Sequence, residues 1–284
     1  MQFSKIHSAQ TIGLTAHIID VEVDLSRGLH AFSLVGLPST SVDESRDRVS
    51  AAIKNSGFTS PKQKNQKIVI ALAPAELKKE GSHYDLAIAL AYLAASDEIT
   101  FSPEGKIFLG ELSLDGKLRP IRGTLLLAQV AQKAGFTEIF IPTENADEAA
   151  LVTGIIVRGV RTLTELIEHL DKENPKNIIA HVRNEKKKDP GKSDHVVDLA
   201  HIKGQDFAKR ALEISAAGKH NLAMWGPPGT GKTMLAEAFP HLLPELAEQE
   251  MLEVTGIHSV AGILKNEVVT HPPLRAPHHT ASYP

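Results

Sequence analysis

Residues 226–233 read Gly226-Pro227-Pro228-Gly229-Thr230-Gly231-Lys232-Thr233, and they satisfy the phosphate-loop pattern G-x-x-x-x-G-K-[ST] (Walker A) at every fixed position. The glycines let the backbone wrap so that successive N–H groups point at phosphate oxygens, and the start of a helix adds partial positive charge. Lys232 supplies a cation for the β and γ phosphates, and Thr233 a hydroxyl for Mg²⁺, a hard ion that prefers oxygen. The flanks agree. Asn221–Trp225 is a short apolar run that predicts the preceding strand, and Thr233–Phe239 keeps Met234, Leu235 and Ala238 in helical register. ATP with Mg²⁺ is therefore the expected ligand of Gly226 through Thr233.

Upstream, Ile202-Lys203-Gly204-Gln205 leads into a predicted helix over 208–217, while residues 171–195 lack apolar periodicity, carry two prolines and include Lys186-Lys187-Lys188. That composition predicts an interdomain linker, whose lysines are candidates for DNA phosphates or a solvated charge run. Before it, elements alternate. Thr15–Leu25 alternates apolar and acidic residues, as a half-buried strand does; 31–35, 67–73, 138–142 and 155–160 are further strands. Runs 107–112 and 118–121 flank Asp115-Gly116, which favours a tight hairpin turn. Helices are predicted over 123–134 and 163–170. Ser41 with Glu44, and Ser82 with Asp85, have capping-box spacing ahead of two more, the second being the alanine-rich Leu86–Ala95 run, which is apolar enough to be central. The pattern is that of a layered α/β domain over 1–170.

With 284 residues and roughly 100–200 residues per domain, about two domains are expected. Lys and Arg number 31 against 34 Asp and Glu, a net charge of −3, so any nucleic-acid binding must come from a local patch. The absence of cysteine excludes disulfides, thiolate metal sites and Cys nucleophiles. No apolar run approaches the ~20 residues of a membrane span and the amino terminus lacks a signal-peptide core, so a cytoplasmic protein without membrane contact is expected.

The turn into the 208–217 helix together with the GPPGTGKT loop resembles the start of an AAA+ ATPase module, in which the Gly204-Gln205 turn lies near adenine. Gly256-Ile257-His258-Ser259-Val260-Ala261-Gly262 and Arg275-Ala276-Pro277-His278-His279-Thr280-Ala281-Ser282 resemble the magnesium-chelatase-like branch of that superfamily. With Leu34-Val35-Gly36-Leu37-Pro38 and the 81–90 stretch, the chain resembles the YifB/ComM family over nearly its whole length. The resemblance implies a Lon-protease-like α/β domain over 1–170, a linker over 171–195 and the first part of a P-loop AAA+ module over 196–284. It implies an ATP-driven motor subunit that remodels DNA by branch migration or helicase action in natural transformation or recombination, as a homo-hexameric ring. A chelatase-type motor for metal insertion and a non-enzymatic Lon-like scaffold are the alternatives.

Hydrolysis of ATP requires an acidic pair on a second strand, a sensor residue and an arginine finger. No apolar run ending in Asp-Glu follows Thr233, and the sequence stops about 50 residues past the loop, so a piece of a longer ATPase is expected and no catalytic residue is assigned. His278 and His279 stand beside proline without a nearby carboxylate, which argues for a polar loop rather than a metal site. The Lon fold carries a Ser-Lys dyad. Aligned on that fold, His83 stands at the serine position and Leu125 at the lysine position, leaving only Ser82 with Lys78 or Lys79 as a makeshift pair. A binding and assembly platform without peptidase activity is expected.

Overall fold

The computed structural model describes residues 3–171, 176–182, 197–264, 268–274 and 277. The chain divides into two compact units, Met1–Asn184 with Gly256–Glu267, and Glu185–Thr255 with Val268–Pro284.

The first unit is mixed α/β. It opens with β1 (Phe3–Ile12), β2 (Thr15–Arg27), β3 (Ala31–Val35), α1 (Thr40–Asp43), α2 (Ser45–Asn55), β4 (Gln66–Ala73) and α3 (Asp85–Ala95). It continues through β5 (Lys106–Phe108), β6 (Glu111–Leu112), β7 (Leu118–Arg119), α4 (Thr124–Lys133), β8 (Glu138–Pro142), α5 (Ala146–Ala149), β9 (Ile156–Val160) and α6 (Leu163–Leu170). One sheet has the order β1-β2-β4-β3 with β3 and β4 parallel; a second, β5-β8-β9, is wholly parallel; β6 and β7 form a ribbon.

The alternation in β2 works as expected: Ile19, Val21, Val23 and Leu25 are buried while Asp20 and Glu22 between them stay partly exposed. β1 has no such alternation. It is a strand because it pairs with β2 along its whole length, from Phe3 opposite Asp24 to Ile12 opposite Thr15. Its inner positions include polar Gln10, which donates to the Lys78 carbonyl at 3.1 Å and accepts from the Tyr84 hydroxyl. α3 is buried from Asp85 through Leu93 and packs on β1, β2 and α2, making it the centre of the larger core. Where β3 ends, Gly36 adopts φ +107°, and a Cβ there would stand 2.2 Å from the Leu72 carbonyl oxygen, so only glycine lets the chain pass β4 this closely.

Both expected capping boxes are absent. Ser39 holds the N-cap position of α1 without a side-chain capping bond, the helix breaks at Glu44, and the Ser41 hydroxyl meets Ser39 Oγ at 2.9 Å. At α3 the Ser82 hydroxyl donates to Glu111, and the Asp85 carboxylate is taken by Arg48. At α3 tertiary partners outcompete the local cap, whereas the Ser41 hydroxyl bonds locally to Ser39 and also accepts from the Gly81 N–H at 3.3 Å. The expected 107–112 strand likewise divides, because β5 joins β8 while β6 turns into the hairpin around Gly116 (φ +83°). Residues 176–182, within the expected linker, run along the first unit, with His181 N–H donating to the Val157 carbonyl at 2.7 Å and Lys176 on Glu168 at 2.7 Å. Lys186, Lys187 and Lys188 lie outside the described residues.

The second unit contains α7 (Asp206–Gly218), α8 (Lys232–Ala238) and most of α9 (Glu248–Val260), around a small core of Ile202, Leu212, Leu235 and Ala238. Asn221–Trp225, expected as a strand, carries no regular secondary structure. A strand needs a neighbouring edge, and no other strand exists among the described residues of this unit. Among the described residues, no helix is long and apolar enough to cross a membrane.

Candidate functional site

The loop of residues 226–233 leads directly into α8. Gly229 and Gly231 sit at φ +81° and +85°, a left-handed conformation that side chains resist, although each has open space where a Cβ would stand. Backbone geometry, not crowding, therefore selects glycine here. The Thr230 hydroxyl donates to the Pro227 carbonyl at 3.0 Å and closes the arch. Lys232 Nζ donates to the carbonyls of Gly226 at 2.9 Å and Pro227 at 2.7 Å, with Thr230 Oγ1 at 3.4 Å. Its ammonium is thus folded against its own loop. Thr233 is exposed, and its hydroxyl has no hydrogen-bond partner among the described residues. Leu235 and Ala238, one turn and two turns on, are buried in the unit's core and fix the helix that carries Lys232 and Thr233.

Gln205 is not pointed away from the loop. Its Nε2 donates to the Thr230 carbonyl at 3.3 Å. Sequence reading associated this residue with a base and missed its contact to the loop; the adjacent Gly204-Gln205 pair before a helix was the available signal. Trp225, immediately before Gly226, is fully exposed. Arg275, His278 and His279 lie outside the described residues, and no metal-holding cluster of His, Asp or Glu occurs among the described ones.

In the first unit, His83 and Leu125 stand at the two positions that the sequence aligns with a serine–lysine dyad. His83 is partly buried, its Nε2 is buried without a hydrogen-bond partner among the described residues, and desolvation pushes its pKa down to about 4. Leu125 is buried, with its N–H donating to Glu148 Oε1 at 2.6 Å. Ser82 is bonded to a carboxylate, Glu111, and neither lysine reaches it: Lys79 is buried and donates to the Pro74 carbonyl, while Lys78 pairs with Glu80 at 2.7 Å. Burial holds the Lys79 amine below its usual range, yet its proton points at a backbone oxygen and not at a nucleophile.

Two family models match the chain. "Subunit ChlI of Mg-chelatase" covers residues 21–145 and "Magnesium chelatase, subunit ChlI" covers residues 198–284. Among curated proteins, the competence protein ComM of Haemophilus influenzae is 40% identical over 290 residues, covering 100% of this chain and 55% of that protein. YifB of Escherichia coli is 40% identical over 290 residues, 99% of this chain and 54% of its own length. The chain belongs to the YifB/ComM family. It spans about half the length of these YifB/ComM relatives. A shorter match, 34% identical over 80 residues, joins 28% of the chain to 13% of an archaeal Lon protease from Archaeoglobus fulgidus.

Proposed function

We propose that Gly226–Thr233 binds the phosphates of Mg·ATP, and that the chain is the nucleotide-binding part of an AAA+ motor subunit of the YifB/ComM type. The observation that carries this reading is Lys232. Its ammonium lies on two loop carbonyls and one hydroxyl, all neutral acceptors, and a charged phosphate oxygen is a stronger acceptor than any of them. Phosphate binding therefore requires only an exchange of partners at Nζ. The exposed Thr233 hydroxyl is the residue suited to Mg²⁺, and the bound ion supplies charge neutralisation at the β and γ phosphates. Loss of Lys232 in Lys232→Ala removes a charge-assisted contact of ~1.5–3 kcal/mol, so Mg·ATP affinity measured by calorimetry should fall roughly tenfold or more. Equal affinity in a folded variant refutes the assignment.

The domain reading that goes with it is a Lon-like platform over 1–170 without peptidase activity, a linker over 171–195 and the beginning of the AAA+ module over 196–284. The buried, unpartnered Nε2 of His83 and the buried Leu125 support the loss of peptidase chemistry. We read the complete protein as a cytoplasmic, hexameric, ATP-driven DNA remodeller, a reading supported by the competence role in the name of its Haemophilus relative. Metal insertion by a chelatase-type motor is the second reading, favoured by the descriptions of both family models.

A further inference from the structure

Gln205 precedes α7 with φ 60° and ψ 35°, directly after Gly204 at φ +64°. A left-handed backbone at a residue with a full side chain is strained and persists only where its surroundings hold it. They do so here. Ile202 is buried in the core that also anchors Leu235 of the loop's outgoing helix. Lys209 closes the turn twice, its Nζ donating to the Ile202 carbonyl at 2.6 Å and its N–H to the Gln205 carbonyl at 2.9 Å. The turn and the phosphate loop thus share one small core, and the Gln205 amide spans from one to the other to reach the Thr230 carbonyl at 3.3 Å.

That carbonyl belongs to the Thr230–Gly231 peptide, and in a planar trans peptide C=O and N–H point in opposite directions. A donor that holds the carbonyl on the Gln205 side turns the Gly231 N–H to the opposite side. Gly231 offers little resistance of its own to rotation of this peptide, because glycine populates both signs of φ. We infer that Gln205 is a positioning residue of the phosphate loop: its side-chain amide fixes the Thr230–Gly231 peptide so that the Gly231 N–H is preset as a phosphate donor. The inference rests on the phosphate-binding reading of Gly226–Thr233, and it gives Gln205 a role at the phosphates and not at the base.

The test is calorimetry on the 284-residue chain with Mg·ATP and with Mg·tripolyphosphate, comparing the parent, Lys232→Ala, Gln205→Asn and Gln205→Gly. Asparagine tolerates the left-handed backbone and keeps the amide but is one methylene too short, and glycine removes both strain and side chain. Loss of one neutral hydrogen bond should weaken binding about three- to tenfold, by the same factor for both ligands, in each Gln205 variant. A Gln205 variant that loses ATP affinity but binds tripolyphosphate like the parent marks a base contact and overturns the inference. Parent-like affinity for both ligands in Gln205→Asn and Gln205→Gly, with Lys232→Ala impaired, overturns it while leaving the phosphate loop intact. A parent that binds neither ligand removes the reading of the loop and this inference with it.

Discussion

At the scale of single residues, His83 gives the clearest consequence of burial. Its Nε2 is buried without a hydrogen-bond partner among the described residues, and this desolvation keeps the ring neutral in the folded protein down to about pH 4. An unfolded histidine takes its proton near pH 6.5. Above pH 6.5 both states are neutral and His83 has no effect on the pH dependence. As pH falls from 6.5 toward 4 the unfolded state alone binds the proton, and stability is lost, by about 3 kcal/mol across the window. Denaturant unfolding of the parent and of His83→Leu at pH 7 and pH 4 measures this. The parent should lose about 3 kcal/mol more than the variant over that interval, and parallel losses would contradict the neutral ring.

At the scale of elements, one charged fork joins three of them. Arg48 of α2 donates to Asp85 at the start of α3, from Nε to Oδ2 at 2.8 Å and from NH2 to Oδ1 at 3.1 Å. The Leu112 N–H of β6 adds a third donor at 3.2 Å. Asp85 is fully buried, and burial lifts its carboxyl to about 6 against the pull of these donors. Arg48→Met keeps the packing of the aliphatic stem but strands a buried carboxyl, which costs about 3–5 kcal/mol when it must stay ionised. The loss should be smaller at pH 5 than at pH 8, since the stranded carboxyl can then take a proton. Equal, small losses at both pH values by urea unfolding would show that the fork contributes little. The same fork explains why the Ser82/Asp85 spacing misleads: a fixed guanidinium makes a better partner for Asp85 than a helix-end N–H does.

At the scale of the whole molecule, the charge of −3 provides no general attraction for a polyanion. If the complete protein is the DNA-engaging ring we propose, weak basic sites repeated around the ring must add by avidity, with Lys186–Lys188 a candidate contact. DNA affinity of the full-length protein should then fall steeply with salt, because each neutralised phosphate releases counterions, and rise with a slowly hydrolysed ATP analogue. Titration against single-stranded, duplex and branched DNA at two salt concentrations reads both effects. A demonstrated oligomer that binds none of them at low salt would favour the metal-insertion reading.

Legibility followed the range of the chemistry involved. The sequence by itself determined the glycine-rich turn into α8, whose glycines and Lys232 act through local backbone geometry, and the elements whose partners are water on one side and core on the other. The strand β2, the buried helix α3, β8 over 138–142 and α6 over 163–170 are of that kind. Tertiary structure alone decided the rest, because the deciding partner lies far along the chain. β1 is a strand through its pairing with β2 despite its buried Ser8 and Gln10. Asn221–Trp225 has strand composition but no neighbouring edge among the described residues of its unit. Ser82 and Asp85 leave their expected cap for Glu111 and Arg48. The amide of Gln205 meets Thr230, 25 residues on, because a small shared core brings the two turns together, a proximity that no residue spacing encodes.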